Sequence, residues 1–240
     1  MISLVSQVEN IFISMNMNTL SSHTLFHFTH SLKSLQSILN NGLRFSLIAE
    51  KIPNSRLMYT VPAICFCNIP LSAIKEHLDW YGEYGIGFTP AYCKSIGATP
   101  VCYVHGASPF LPKTNKSNLF QQSRLTPFLK RTAGLQKKYN CHRYKWKVFY
   151  DEKEWRAIDG RCNIWPIDNL ADMYSKQDDL KVNEKYTWSK VPNPSINGDI
   201  EYIILKERNE VPNFIQWLVN NGLKDLIPKV ITVEQIMKDF

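Results

Sequence analysis

In this chain of 240 residues, strand-like and helix-like segments succeed one another without regular alternation. That order fits an α+β fold better than a doubly wound parallel sheet. Residues 25–29 read as a short strand. Ser31 then stands where a helix N-cap belongs, Leu32, Leu35, Ile38 and Leu39 recur at helical spacing, and Asn41-Gly42 stops the helix. Residues 63–68 are apolar and bounded by Pro62 and Pro70, which suits a buried strand. Ile74, Leu78 and Tyr81 form one face of a helix over 71–81. Strands are expected at 85–88, 101–104, 147–150, 155–158, 201–205 and 229–233, with helices at 91–96, 115–139 and 212–221. Residues 44–55 are ambiguous, Pro53 and Asn54 suggesting a loop, and 169–195 read as a polar surface excursion.

A hydrophobic fraction of 44% and an aromatic fraction of 12% are those of a packed globular chain. The expectation is one domain over 1–240, with 1–22 as an N-terminal extension and 109–147 as a basic helical insertion. Glu9, Asn10, Asn16 and Asn18 interrupt the apolar start, and no basic residue precedes it. It therefore reads as neither signal peptide nor membrane span, and the chain as cytoplasmic. The six cysteines lack the paired spacing of structural zinc and are expected to be buried, reduced thiols, with no metal bound.

Three stretches could carry chemistry. In the first, His27 and Thr29 share a strand face just ahead of a helix N-terminus, a place suited to an anionic ligand and able to grip a sugar; on the bland reading they satisfy local backbone groups. In the second, Glu152 and Glu154 flank Lys153 in a charged turn. Paired carboxylates can divide acid–base or cation-stabilising work. One fixed carboxylate is what cleavage of a nicotinamide–ribose bond requires, because positive charge develops on the ribose; a solvated turn is the alternative. In the third, Tyr81, Tyr84 and Phe88 offer flat faces to an aromatic ring, and Gly85 and Gly87 allow a ligand close to the backbone; on the bland reading these aromatics are core. This stretch fails as a dinucleotide fingerprint, since it lacks a third glycine and a strand-to-helix context. No nucleophile elbow is present.

The run Leu25-Phe26-His27-Phe28-Thr29-His30, followed by the leucine-rich helix to Asn41-Gly42-Leu43, resembles the opening of DarT-type ADP-ribosyltransferases. The stretches 65–72, 81–88, 100–103 and 151–156, with the closing 229–236, resemble the AbiGi family of abortive phage-infection proteins over most of residues 24–240. The AbiGi resemblance implies phage defence, in the antitoxin-like half of a two-component system. The transferase resemblance implies a split mixed sheet with NAD in its central cleft, used as a substrate. It further implies that His27, Phe28 and Thr29 contact NAD, that Tyr81, Tyr84 or Phe88 flank nicotinamide, and that Glu154 is the catalytic carboxylate, with Glu152 its rival. The Ser-Thr-Ser element of arginine-specific toxins is missing, and Arg44 and Arg56 are both candidates for the assisting basic residue.

Net charge is +7, yet residues 84–150 contain no Asp or Glu and eleven Lys and Arg. The rest of the chain carries 17 basic against 21 acidic groups. Within 113–147, Lys130, Arg131, Lys137, Lys138, Arg143 and Lys145 alternate with aromatic residues, a composition that suits nucleic acid or an acidic protein partner as well as a solvated hairpin. The leading expectation is thus a NAD-dependent mono-ADP-ribosyltransferase effector modifying nucleic acid or protein. The alternative is a catalytically idle antitoxin or nucleic-acid-binding partner. A nuclease-like reading through His27 or His142 is weaker.

Overall fold

The computed structural model describes residues 22–53, 55, 57–108, 125–138, 143–159, 164–169, 191–196 and 198–239. They form a mixed α+β structure around a large sheet ordered β13-β12-β4-β1-β3-β10-β5, with β2 and β11 pairing beside β3. The strands at its centre are β1 (Leu25–Thr29), β3 (Met58–Cys67), β4 (Tyr84–Phe88) and β10 (Glu154–Ile158). Beyond them, β12 (Ile200–Leu205) joins β4 to the edge strand β13 (Val230–Thr232), and β2 (Ser46–Lys51), β5 (Thr99–Pro100) and β11 (Trp165–Ile167) are the other edge strands. Pairing is antiparallel except between β12 and β13.

Side-chain alternation divides this sheet into two faces. Leu25, Ile64, Phe66, Ile86, Phe88, Ala157, Ile203 and Leu205 pack into one core. Leu35 of α1 (Leu32–Asn41) and Phe214 and Leu218 of α4 (Val211–Asn220) belong to the same core. The Ser31 hydroxyl caps α1 by accepting from the Ser34 N–H at 3.1 Å. Phe26, Cys67 and Ile204 face the other way, toward Ile74, Leu78 of α2 (Lys75–Tyr81) and Ile236 of α5 (Val233–Asp239). A further short helix, α3 (Pro90–Ser95), follows β4 and is capped by Thr89.

Two departures from the sequence reading bear on the site. Residues 46–51 form β2 rather than a loop, and β3 runs straight through Pro62. Pro62 stands between the stretch of β3 paired with β10, which ends at Ala63, and that paired with β11, which begins at Thr60. Its carbonyl still accepts from Asp159 N, and its missing N–H costs no ladder bond on that side.

The basic insertion is the second departure. Its described part is not helical. A 3-10 turn at Thr126–Phe128 leads into β7 (Leu129–Arg131), which pairs parallel with β6 (Cys102–Val104), and β8 (Ala133–Lys137) pairs antiparallel with β9 (Tyr144–Val148). Tyr144, Trp146 and Val148 alternate with lysines at a period of two, which is the strand pattern. The remaining positions of that helix, 115–124 and 139, lie outside the described residues, as do Cys141, His142 and Cys162. Cys65, Cys67, Cys93 and Cys102 are free thiols, but only Cys67 and Cys93 of these four are buried; Cys65 is half-buried and Cys102 exposed. Among the described residues no helix is long and apolar enough to cross a membrane.

Candidate functional site

The site lies where β1 and β3 part. These strands share a single registered pair, Phe26 with Cys67, and beyond it the His27 ring spans the gap, its Nδ1 lying 2.8 Å from the Cys65 carbonyl. A carbonyl can only accept, so Nδ1 carries the proton. Burial lowers the His27 pKa against the opposing pull of that carbonyl, and the ring is neutral with its Nε2 a lone-pair acceptor.

Across the gap opens a cavity of about 450 Å³, within the range of ligand pockets. Its walls include Phe26, His27, Phe28, Arg44, Glu50, His77, Tyr81, Lys130, Glu152 and Glu154. His27, Phe28, Tyr81, Glu152 and Glu154, far apart in the chain, therefore meet at one cleft, and Arg44 stands on its wall. Phe28, His77 and Tyr81 make an aromatic side, with ring centroids 5.5 Å and 4.5 Å apart in turn. Burial pushes His77 down to about 3, so it too is neutral.

The opposite wall is a buried charge network. Lys153 adopts a left-handed conformation (φ 43°) after the 3-10 turn Tyr150–Glu152. That reversal carries Glu152, at the end of the turn, and Glu154, the first residue of β10, onto one ammonium group. Lys130 Nζ lies 2.7 Å from Glu152 Oε2 and 2.7 Å from Glu154 Oε2. Arg156, two residues along β10 and fully buried, donates from Nε to Glu154 Oε1 at 2.9 Å, from Nη2 to Glu50 Oε1 at 2.8 Å and from Nη1 to the Pro127 carbonyl at 2.6 Å. Lys147 Nζ makes a 2.5 Å ion pair with Glu152 Oε1, and the Tyr81 hydroxyl donates to the same oxygen. Lys147 also lies over the rings of Trp80 and Tyr81.

Three carboxylates (Glu50, Glu152, Glu154) thus face three cations (Lys130, Lys147, Arg156). Burial opposes ionisation of Glu154, but Arg156 and Lys130 overcome it and hold its pKa down to about 2. Burial likewise opposes Glu152, which Lys130 and Lys147 bring below the ordinary carboxylate range. Lys130 is raised well above its usual value by the carboxylates, against the effect of burial. In Lys147 burial prevails over Glu152, and the pKa is lowered. Both Glu154 oxygens are occupied: Oε1 by Arg156 and Oε2 by Lys130.

Several expected residues stand elsewhere. Thr29 is absent from the cavity wall, and a Cβ on Gly82 (φ 105°) would lie 2.2 Å from the Thr29 carbonyl oxygen, so the strand is pressed against this turn. The Tyr84 hydroxyl donates to Glu210 Oε1 at 2.6 Å, away from the cavity. Phe88 is wholly buried against Phe66 and Tyr92 on the other face. Gly85 and Gly87 make room for side chains rather than a ligand: a Cβ at Gly85 would meet the Phe28 ring at 2.7 Å, and one at Gly87 the Phe26 ring at 2.9 Å.

The basic set is also divided. Lys130 is an interior ion-pair partner rather than a surface contact. Arg131 stacks near the Phe149 ring, and Lys138 pairs with Asp79 at 3.3 Å. Arg143 and Lys145 are exposed. Lys137 lies on β8, and Arg56 lies outside the described residues.

Sequence reasoning missed Glu50, His77, Lys147 and Arg156. The i, i+2 pair Glu154 and Arg156 on one strand, and the i, i+4 pair His77 and Tyr81 on one helix, were available signals. Nothing local marked Lys147 as interior.

A family model described as "Putative abortive phage resistance protein AbiGi, antitoxin" matches residues 54–206, a span holding every member of the charge network except Glu50. The chain belongs to the AbiGi family. Among curated relatives of this AbiGi-family chain, the "Abortive phage resistance protein AbiGi" of Lactococcus lactis subsp. cremoris is 25% identical over 227 residues, covering 75% of this chain and 89% of the relative. No solved structure matches it.

Proposed function

We propose that this AbiGi-family chain is the antitoxin-type member of a two-component phage-defence system, built on an ADP-ribosyltransferase-like fold whose catalytic position is electrostatically closed. The observation that carries this reading is the pairing of both Glu154 oxygens with buried cations. Cleavage of a nicotinamide–ribose bond needs a carboxylate that can accept from the ribose hydroxyl and present uncompensated negative charge to the ribose cation. With Oε1 held by Arg156 and Oε2 by Lys130, each Glu154 oxygen already accepts from a buried cation, and its charge is compensated within the network. Removing Lys130 from a buried pair would leave uncompensated charge in a low-dielectric interior. The test is incubation of the full chain with labelled NAD and with protein and nucleic-acid acceptors. No transfer of label and no nicotinamide release are expected, whereas turnover that disappears in Glu154→Gln would defeat the reading.

A second reading, a NAD-dependent transferase acting on nucleic acid or protein, is favoured by one observation: His27, Phe28, Tyr81, Glu152 and Glu154 line a single cavity. It requires NAD to displace Lys130 from Glu154. Under it, His27 and Phe28 border the ribose, Tyr81 flanks nicotinamide, and Arg44 is the assisting basic residue. Saturable NAD binding to the wild type, lost on Tyr81→Ala, would favour it over the first reading.

A further inference from the structure

The β8–β9 hairpin is built with its polarity reversed. Lys147 points inward to Glu152, while Leu135 and Trp146, cross-strand partners, stand 60% and 68% exposed. Tyr144, Val148 and the neighbouring Tyr150 are exposed as well. Monomeric proteins seldom display a contiguous aromatic face of this kind unless something binds there, and Trp and Tyr are the residues that most often anchor protein interfaces.

We infer that this outer face of the hairpin, centred on Leu135, Tyr144 and Trp146, is the docking surface for a protein partner presenting an apolar socket edged with carboxylates. Charge selects that partner. Arg143 and Lys145, alternating in sequence with the rings, are exposed on the same hairpin, and residues 84–150 offer no acid. Two copies of the chain meeting through this face would set like charges together. Nucleic acid is a poorer fit because Lys130 and Lys147 are spent on interior carboxylates and Lys138 on Asp79, leaving few described cations in the hairpin to follow a phosphate backbone. The surface is also wired to the site. Trp146 and Lys147 are consecutive on opposite faces of β9, so a partner seated on Trp146 bears directly on the strand that carries the Lys147–Glu152 pair.

This inference rests on the two-component reading. The experiment replaces Tyr144 with the photo-crosslinker p-benzoylphenylalanine in the full chain, in cells carrying the whole defence locus, with the same replacement at exposed Val219 of α4 as control. The purified partner is then titrated against wild type and Trp146→Ser. Expected are a crosslink from position 144 alone to an Asp/Glu-rich peptide of one protein, and affinity for it about 30-fold weaker in Trp146→Ser, the loss of an interface anchor worth about 2 kcal/mol, with an unchanged unfolding midpoint. A crosslink to nucleic acid or to a second copy would overturn the inference. If a partner co-purifies equally with wild type and Trp146→Ser, the two-component reading stands and this surface falls. If none co-purifies with wild type, both fall.

Discussion

Lys130 Nζ donates to Glu154 Oε2 across 2.7 Å and to Glu152 Oε2 at the same distance, so one ammonium group bridges the two carboxylates that the Glu152-Lys153-Glu154 motif brings forward. The pairing is interior: Lys130, Glu152 and Glu154 are all buried. Whatever the cavity binds must either leave this bridge intact or compete with it.

Breaking the bridge from one side should be costly. Glu154→Gln leaves Lys130 and Arg156 without their shared anion, and removal of one partner from a buried pair costs about 3–5 kcal/mol. Urea unfolding should show that loss. The double variant Glu154→Gln with Lys130→Met should be less destabilised than the sum of the two single changes. Strict additivity would mean that the two side chains do not interact.

The network also sets an acid limit. The Glu154 pKa is depressed from 4.5 to about 2 in the folded protein, so the unfolded chain takes up the proton first as pH falls. Its stabilising contribution is complete above about pH 4.5 and drains away toward about pH 2. The depressed Glu152 acts in the same direction. Unfolding free energy measured from pH 6 downward should decline through this window, and the decline should be shallower in Glu154→Gln.

Gly85 tests whether the glycine pair of β4 serves packing. A methyl group there would lie 2.7 Å from the Phe28 ring, and overpacking of this kind costs about 1–3 kcal/mol. Gly85→Ala should lower the thermal midpoint, and the companion change Phe28→Leu should recover part of the loss. Wild-type stability in Gly85→Ala would contradict the packing role.

Tyr81→Phe isolates a single hydroxyl. The ring remains beneath Lys147, whose Nζ is 4.0 Å from its centroid, but the donor to Glu152 is removed. A hydrogen bond to a charged group contributes about 1.5–3 kcal/mol, and denaturant unfolding should register a loss of that order. No loss would show that Lys147 and Lys130 already satisfy Glu152.

Strong local signals survived folding. The Ser31 cap, α1 and the strands at 25–29, 84–88, 154–158, 200–205 and 230–232 follow from hydrophobic period and punctuation, because these are set by neighbours a few residues away; the strand expected at 147–150 instead runs over 144–148, with Tyr150 in a 3-10 turn. Reading Pro62 as a strand boundary failed because its tolerance depends on where β10 stops and β11 starts along β3. The helix expected over the basic stretch failed because lysine content outweighed a period-two pattern that was already visible in 144–148.

The sequence by itself determined that Glu152 and Glu154 would sit together and that His27 would lie on a strand ahead of a helix. It determined the α+β class and the AbiGi membership. Only the tertiary structure decided what those carboxylates face. Lys130, Lys147, Arg156 and Glu50 arrive from four different strands, and a lysine carries no mark in its own neighbourhood that it will be buried. Its fate is set by whether carboxylates elsewhere in the fold repay its desolvation. That long-range balance turned an apparent surface charge into the counter-ion of the site.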